Sequence, residues 1–190
     1  MPVANSAANF NHDMVKDKIK IIGISGSLRS SSSANAMLHV VKDLFPVHVE
    51  FTIYKGLASI PAFDDSDEIP PAVAEFLKLI TEADGVFFCI PEYAFGVPGA
   101  LKNALDWTVS STAFSDKPVA LITAASQGEK AHAALLLTLS AIGTKIEDAA
   151  RLVISFIRTK LDENGKVKDP VTMDAVTKVV QAFLQSIEPG

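Results

Sequence analysis

The sequence predicts one α/β domain: a doubly wound, five-stranded parallel sheet of order 2-1-3-4-5 with helices on both faces. Three observations predict it. Five apolar segments of strand length alternate with amphipathic segments of helix length between residues 19 and 190. One of those strands, 85–90, is continuously apolar, as a strand at the centre of a parallel sheet is. The chain has 190 residues, which fits a single domain of this kind and allows a sizeable core.

Each element has its own signal. Strand one is Lys20–Ser25, the end of the apolar run that starts at Ile19. Helix one spans about Asn35–Phe45, with Ala36, Leu38, Val40, Val41 and Leu44 on a broad apolar face and Pro46 as its stop. Strand two is Val47–Tyr54, whose alternation of apolar and polar residues predicts an edge or half-exposed position. The segment 55–71 is loop, rich in proline and carrying the acidic cluster Asp64, Asp65, Asp67, Glu68. Helix two covers about Ala72–Ala83, and strand three is Gly85–Ile90. Pro98 suits a first helical position, so helix three runs from there to about Ser110. Strand four is Pro118–Ala124; helix four is Lys130–Ile142, closed by Gly143. Strand five includes Leu152–Phe156, and a last helix, Val171–Ile187, follows the loop 162–170.

Composition narrows the function. The 17 basic and 22 acidic residues give a net charge of −5 with no basic block, which argues against a nucleic-acid partner. Apolar stretches are too short or broken for a membrane span. Residues 1–18 lack the apolar core of a signal peptide and are expected to form a flexible extension ahead of a single domain, 19–190. One cysteine, Cys89, excludes an internal disulfide and fits the reducing cytoplasm; inside an apolar strand it reads as core. His12, His39, His48 and His132 have no metal-ligand spacing, so no metal is expected.

Three loops stand out, and the predicted strand order places them side by side beyond the carboxyl ends of strands one, three and four. The first, Ser25-Gly26-Ser27-Leu28-Arg29 with four further serines, offers hydroxyls, backbone N–H groups, one fixed cation and a following helix N-terminus. These favour a phosphate. The loop lacks the lysine of a Walker loop and the glycine spacing of a dinucleotide loop, and it has no cysteine nucleophile. A flexible serine-rich turn is the alternative. The second loop, 91–97, is stiffened by Pro91 and Pro98; its glycines would let the backbone approach a flat ligand, and Tyr93 and Phe95 could cover an aromatic ring. It could equally pack on a neighbouring helix or subunit. The third, Ala124-Ala125-Ser126-Gln127-Gly128, could border the same ligand or be an ordinary strand-to-helix turn.

Taken together, Ile24–Arg29 with the serines and Asn35, the run Pro91-Glu92-Tyr93 to Pro98-Gly99 followed by Leu101-Lys102-Asn103-Ala104-Leu105-Asp106-Trp107, and Lys117–Gly128 resemble the NAD(P)H-dependent FMN reductases. The similarity covers about residues 19–155. That family has the flavodoxin-like fold and includes quinone, azo-dye and chromate reductases. The resemblance implies that Ser27, Arg29, Ser33 and Asn35 hold the FMN phosphate. It implies that Pro91, Glu92, Tyr93, Ala94, Phe95 and Gly96 line the isoalloxazine, largely through backbone groups, and that Ser126, Gln127 and Gly128 border its other side. The first loop is one residue longer than the usual family form, Ala94 replaces a common Asn, and Glu129-Lys130 stand where Gly-Gly is frequent.

The implied activity is FMN-dependent oxidoreduction: hydride passes from NADPH or NADH to the flavin, then to a small oxidant such as a flavin, quinone, azo compound or chromate, by a ping-pong mechanism. No acid–base side chain is required, so none is assigned as catalytic. The resemblance also implies a homodimer or homotetramer. An FMN-binding electron carrier without small-molecule turnover is the other possibility, as is a regulator that has lost its flavin; net charge and Arg29 argue against the carrier.

Overall fold

The computed structural model describes residues 18–187. The elements run β1 (Ile19–Ser25), α1 (Ser33–Leu44), β2 (Val49–Tyr54), α2 (Pro71–Glu82), β3 (Gly85–Ile90), α3 (Gly99–Asp106), β4 (Val119–Ala124), α4 (Glu129–Ala141), β5 (Arg151–Ile154), α5 (Ile157–Lys160) and α6 (Pro170–Ile187). All strand pairs are parallel and the sheet order is β2-β1-β3-β4-β5, the flavodoxin-like arrangement that the sequence predicts. Register is in step across the centre, with Ile22 opposite Val86 and Phe88 opposite Leu121.

Alternation along the strands builds two cores, because successive side chains point to opposite faces. Ile22, Ile24, Val86, Phe88, Ile90 and Leu121 pack with α2, α3 and α4, around Phe76, Ile80, Leu101, Leu105, Leu135 and Leu139. Ile21, Phe87, Cys89, Ala120 and Ile122 pack with α1 and α6, around Met37, Leu38, Val41, Val176, Val180 and Phe183. β3 and β4 are buried along their whole length, whereas β2 is half-exposed at the sheet edge.

Several boundaries differ from expectation. α1 begins two residues before Asn35, because Ser32 caps it and accepts the Asn35 N–H at 3.2 Å. β2 begins at Val49, since Pro46 to Val49 closes a turn and leaves Val47 exposed. α3 stops at Asp106 rather than near Ser110; the chain continues in short turns stabilised by Thr108 Oγ1 donating to Leu105 O at 2.7 Å. β5 ends at Ile154 because Phe156 is left-handed, with φ 55, and a single helical turn, α5, follows it. All but residue 18 of the extension read over 1–18 lies outside the described residues.

The 101–107 run owes its composition to packing. Asn103 Nδ2 and Trp107 Nε1 both donate to Pro61 O, at 2.8 and 2.9 Å, and Phe63 N donates to Asn103 Oδ1 at 2.8 Å. Phe63 stacks edge-on against Trp107 at 5.1 Å between ring centroids. These contacts fasten the 55–70 segment to α3.

Candidate functional site

The carboxyl ends of β1, β3 and β4 open into one cleft, of about 680 Å³ when its solvent-open space is included. Its walls are Arg29, Ser32 and Ser33 from the first loop, Pro91, Glu92 and Tyr93 from the second, Ala124, Ala125 and Ser126 from the third, and Phe156, Ile157, Arg158 and Thr159 beyond β5. The sequence therefore placed three walls and missed the fourth.

The first loop is braced from within. Ser27 N donates to Ser25 Oγ at 3.2 Å, and Arg29 N donates to Ser27 Oγ at 3.2 Å. Asn35 Nδ2 donates to Arg29 O at 2.8 Å. Asn35 thus shapes the loop, and its side chain faces a neighbouring cavity with Ser27 and His39. Ser32 is buried and engaged as the α1 cap, which leaves Ser33 as the hydroxyl at the first helical position on the cleft wall. A helix start leaves its first N–H groups without intrahelical partners. Here Asn35 N is taken by the Ser32 side chain and Ala36 N by Ser32 O, so among the described residues those of Ser33 and Ala34 keep no acceptor, at a helix start whose Ser33 lines the cleft with the exposed Arg29.

The second loop is a two-residue reverse turn. Tyr93 N donates to Gly96 O at 3.1 Å and Gly96 N to Tyr93 O at 2.9 Å, while Ala94 and Phe95 sit at φ 48 and 60. Positive φ at both central positions is the type I′ pattern, normally filled by Asn and Gly. Gly96 has no left-handed φ, and a Cβ there would meet only Tyr93 O, at 3.7 Å. The turn lifts Ala94, Phe95 and Gly96 beyond the cleft lining; Phe95 is 69% exposed. Tyr93 returns to the site, its hydroxyl 3.0 Å from that of Ser27.

Glu92 joins the second loop to the third. Gly128 N donates to one carboxylate oxygen at 3.3 Å and Ala131 N to the other at 2.9 Å, so Glu92 serves as the missing side-chain cap of α4. A carboxylate at this positive helix end is well placed. Gly128 itself holds φ 107, and a Cβ would lie 3.1 Å from Val153 Cγ1 and 3.2 Å from Thr123 Cγ2, so the position accepts glycine alone. Gln127 lies outside the cleft lining and its carbonyl accepts from Ser155 Oγ at 2.8 Å. On α4, His132 Nδ1 is 2.9 Å from Thr123 Oγ1; burial, and then the Arg151 charge, hold the imidazole below its ordinary value. Burial pushes the Cys89 thiol far up, which keeps it protonated in the core.

The fourth wall is pinned to the third loop by Phe156 N donating to Ser126 O and Ile157 N to Ala125 O, both at 3.2 Å. The sequence signal for it was available: strand five neighbours strand four in the predicted order, and an arginine follows it closely.

Comparison with known proteins agrees with this geometry. The family model for NADPH-dependent FMN reductase matches residues 19–157. An NAD(P)H-dependent FMN reductase of Pseudomonas aeruginosa is 37% identical over 117 residues, covering 59% of this chain and 63% of that protein. A quinone reductase of Escherichia coli is 32% identical over 120 residues, covering 60% and 63%. The chain thus matches a little under two thirds of the length of these relatives. The solved structure of a flavoenzyme NAD(P)H:(acceptor) oxidoreductase from Paracoccus denitrificans superposes with a TM-score of 0.78 at 25% identity, over 90% of this chain and 98% of that one.

Proposed function

The chain belongs to the NADPH-dependent FMN reductase family, and we propose on that premise that it binds FMN in the cleft and uses it to reduce small oxidants at the expense of NADPH or NADH. The observation that carries this reading is the convergence in one cleft of a phosphate-suited helix start with Arg29 and Ser33, a stiff loop with Tyr93, and Ser126 on the far side. The donor set fits the group. Arg29, the Ser33 hydroxyl and the free N–H groups at the start of α1 suit a dianionic phosphate. Pro91, Tyr93 and Ala125 offer mainly flat or small apolar surface for a ring system.

Bound there, FMN supplies the two-electron chemistry between nicotinamide and oxidant. The chain's residues do the rest. Arg29 and α1 fix the phosphate end. The Ser27–Tyr93 hydroxyl pair ties the phosphate loop to the ring loop, and the Glu92 carboxylate ties the ring loop to α4. The loops that would hold the ring are thereby tied to one another and to α4.

The reading extends to a ping-pong mechanism in which nicotinamide and oxidant alternate at the open side of the cleft, and to quinones as the first oxidant class to try, after the names of the relatives. It extends also to a cytoplasmic homodimer or homotetramer; no helix among the described residues is long and apolar enough to cross a membrane. Steady-state rates with NADPH and a water-soluble quinone test it. Parallel double-reciprocal lines are expected. Intersecting lines contradict the alternation, and absence of turnover by flavin-loaded protein favours the electron-carrier alternative.

A further inference from the structure

The chain contains three arginines. Arg151 is paired with Asp148. Arg29 and Arg158 have no acidic partner among the described residues, both are exposed, and both line the same cleft. They also share the adjoining groove, together with Ser31, Ser32 and Ser33. In a chain of net charge −5, two unpaired guanidinium groups facing one space need an explanation. Solvent exposure removes the cost of leaving them unpaired, but it gives no reason for their meeting across a cleft from opposite ends of the sequence.

We propose that Arg158 is a second ligand for the FMN phosphate, clamping it opposite Arg29; this rests on the flavin reading of the cleft. The segment that carries Arg158 is held for the purpose. Ile157 is buried as an anchor, and its N–H and that of Phe156 bond to the third loop at 3.2 Å. Ser155 Oγ adds a bond to Gln127 O at 2.8 Å. Phe156 takes up the left-handed φ of 55 needed to turn the chain off β5 and into α5. Thr159 Oγ1 then closes the turn by donating to Phe156 O at 2.9 Å. Backbone strain of this kind in a non-glycine residue persists where the surroundings hold it, and it concentrates at binding sites.

The chemistry points to phosphate. A guanidinium presents a planar fork that matches phosphate oxygens two at a time, and two such forks balance a dianion. Lys160, the next cation along α5, is engaged with Asp169. In the adjoining groove the Asp162 carboxylate accepts the N–H groups of Asn164 and Lys166, at 2.9 and 2.8 Å. Asp162 and Glu163 both line that groove with Arg158, and no ion pair joins either to Arg158 among the described residues.

The test is a pair of equilibrium titrations of apoprotein, with FMN and with riboflavin, which differ only in the phosphate. Arg158→Ala is expected to weaken FMN binding about tenfold and to leave riboflavin binding within about twofold. Arg158→Lys is expected to recover part of the loss, since it restores charge without the fork. Arg29→Ala is expected to act in the same phosphate-specific way. The melting temperature of apo Arg158→Ala should equal that of the wild type, because the side chain is exposed and unpaired. Unchanged FMN affinity overturns the proposal, as does an equal loss for FMN and riboflavin. Unchanged FMN affinity with a raised KM for NADPH overturns it too, and transfers Arg158 to the nicotinamide nucleotide. Wild-type protein that binds neither flavin overturns the underlying reading itself, a result distinct from all of these.

Discussion

Glu92 holds the second and third loops together with two hydrogen bonds from backbone N–H groups at the start of α4. Bonds to a charged group contribute about 1.5–3 kcal/mol. Glu92→Ala is therefore expected to lower folding stability by about 2 kcal/mol in denaturant titration, while Glu92→Gln, which keeps one oxygen acceptor, loses less. Equal stability of wild type and Glu92→Ala would remove the carboxylate from its capping role. Ala94 sets up a second contrast. Its φ of 48 is costly for a residue with a Cβ, by about 1–2 kcal/mol, and glycine relieves it. Ala94→Gly is expected to raise the melting temperature. Gly96→Ala is expected to leave it unchanged, because the added methyl finds ordinary contact distance only, to Tyr93 O at 3.7 Å. A loss of stability in Gly96→Ala exceeding the gain in Ala94→Gly would reverse the assignment of strain within this turn.

At the scale of elements, α4 carries His132, part-buried against Thr123. Burial, then Arg151, hold His132 below its ordinary value of 6.5, so the unfolded chain takes up this proton more readily than the folded one. Stability contributed by neutral His132 is complete above that value and is lost as the pH falls through it. The drop in melting temperature between about pH 7.5 and about pH 5.5 should be smaller in His132→Gln than in the wild type. Equal drops would show that the site titrates alike in both states. The same element marks the limits of the sequence. The five strands were legible because burial on both faces leaves an unbroken apolar signature in Gly85–Ile90 and Val119–Ala124, while alternation marks Val49–Tyr54 as the edge. Arg29, Ser33, Pro91, Glu92, Tyr93 and Ser126 were legible as one site because strand order alone brings their loops together. The I′ turn was not, since Ala94-Phe95 carries none of the residues that announce one. Nor was the capping role of Glu92, which joins residues 36 or more positions apart. Arg158 was signalled only by its place just after strand five, because α5, the four-residue helix that carries it, is fixed by tertiary hydrogen bonds rather than by its own periodicity.

For the molecule as a whole, exposed apolar surface is what would drive assembly. Leu101, Ala104 and Leu105 of α3, and Trp107 just after it, are buried within the chain itself. Apolar surface stays open instead at Phe95, Val109 and Leu137, which are 69%, 68% and 75% exposed. A homodimer that covers these residues is expected, and light scattering at micromolar protein should report at least twice 20.2 kDa. A mass equal to the monomer would contradict it. The central claim is that this fold binds FMN in the cleft and passes electrons through it. The absorbance spectrum of flavin-loaded protein, followed without oxygen as NADPH and then a quinone are added, tests that claim most directly. The account predicts that the yellow flavin band bleaches with NADPH and returns in full with the quinone. A protein that retains no FMN, or one whose flavin band is unmoved by both NADPH and NADH, would contradict it.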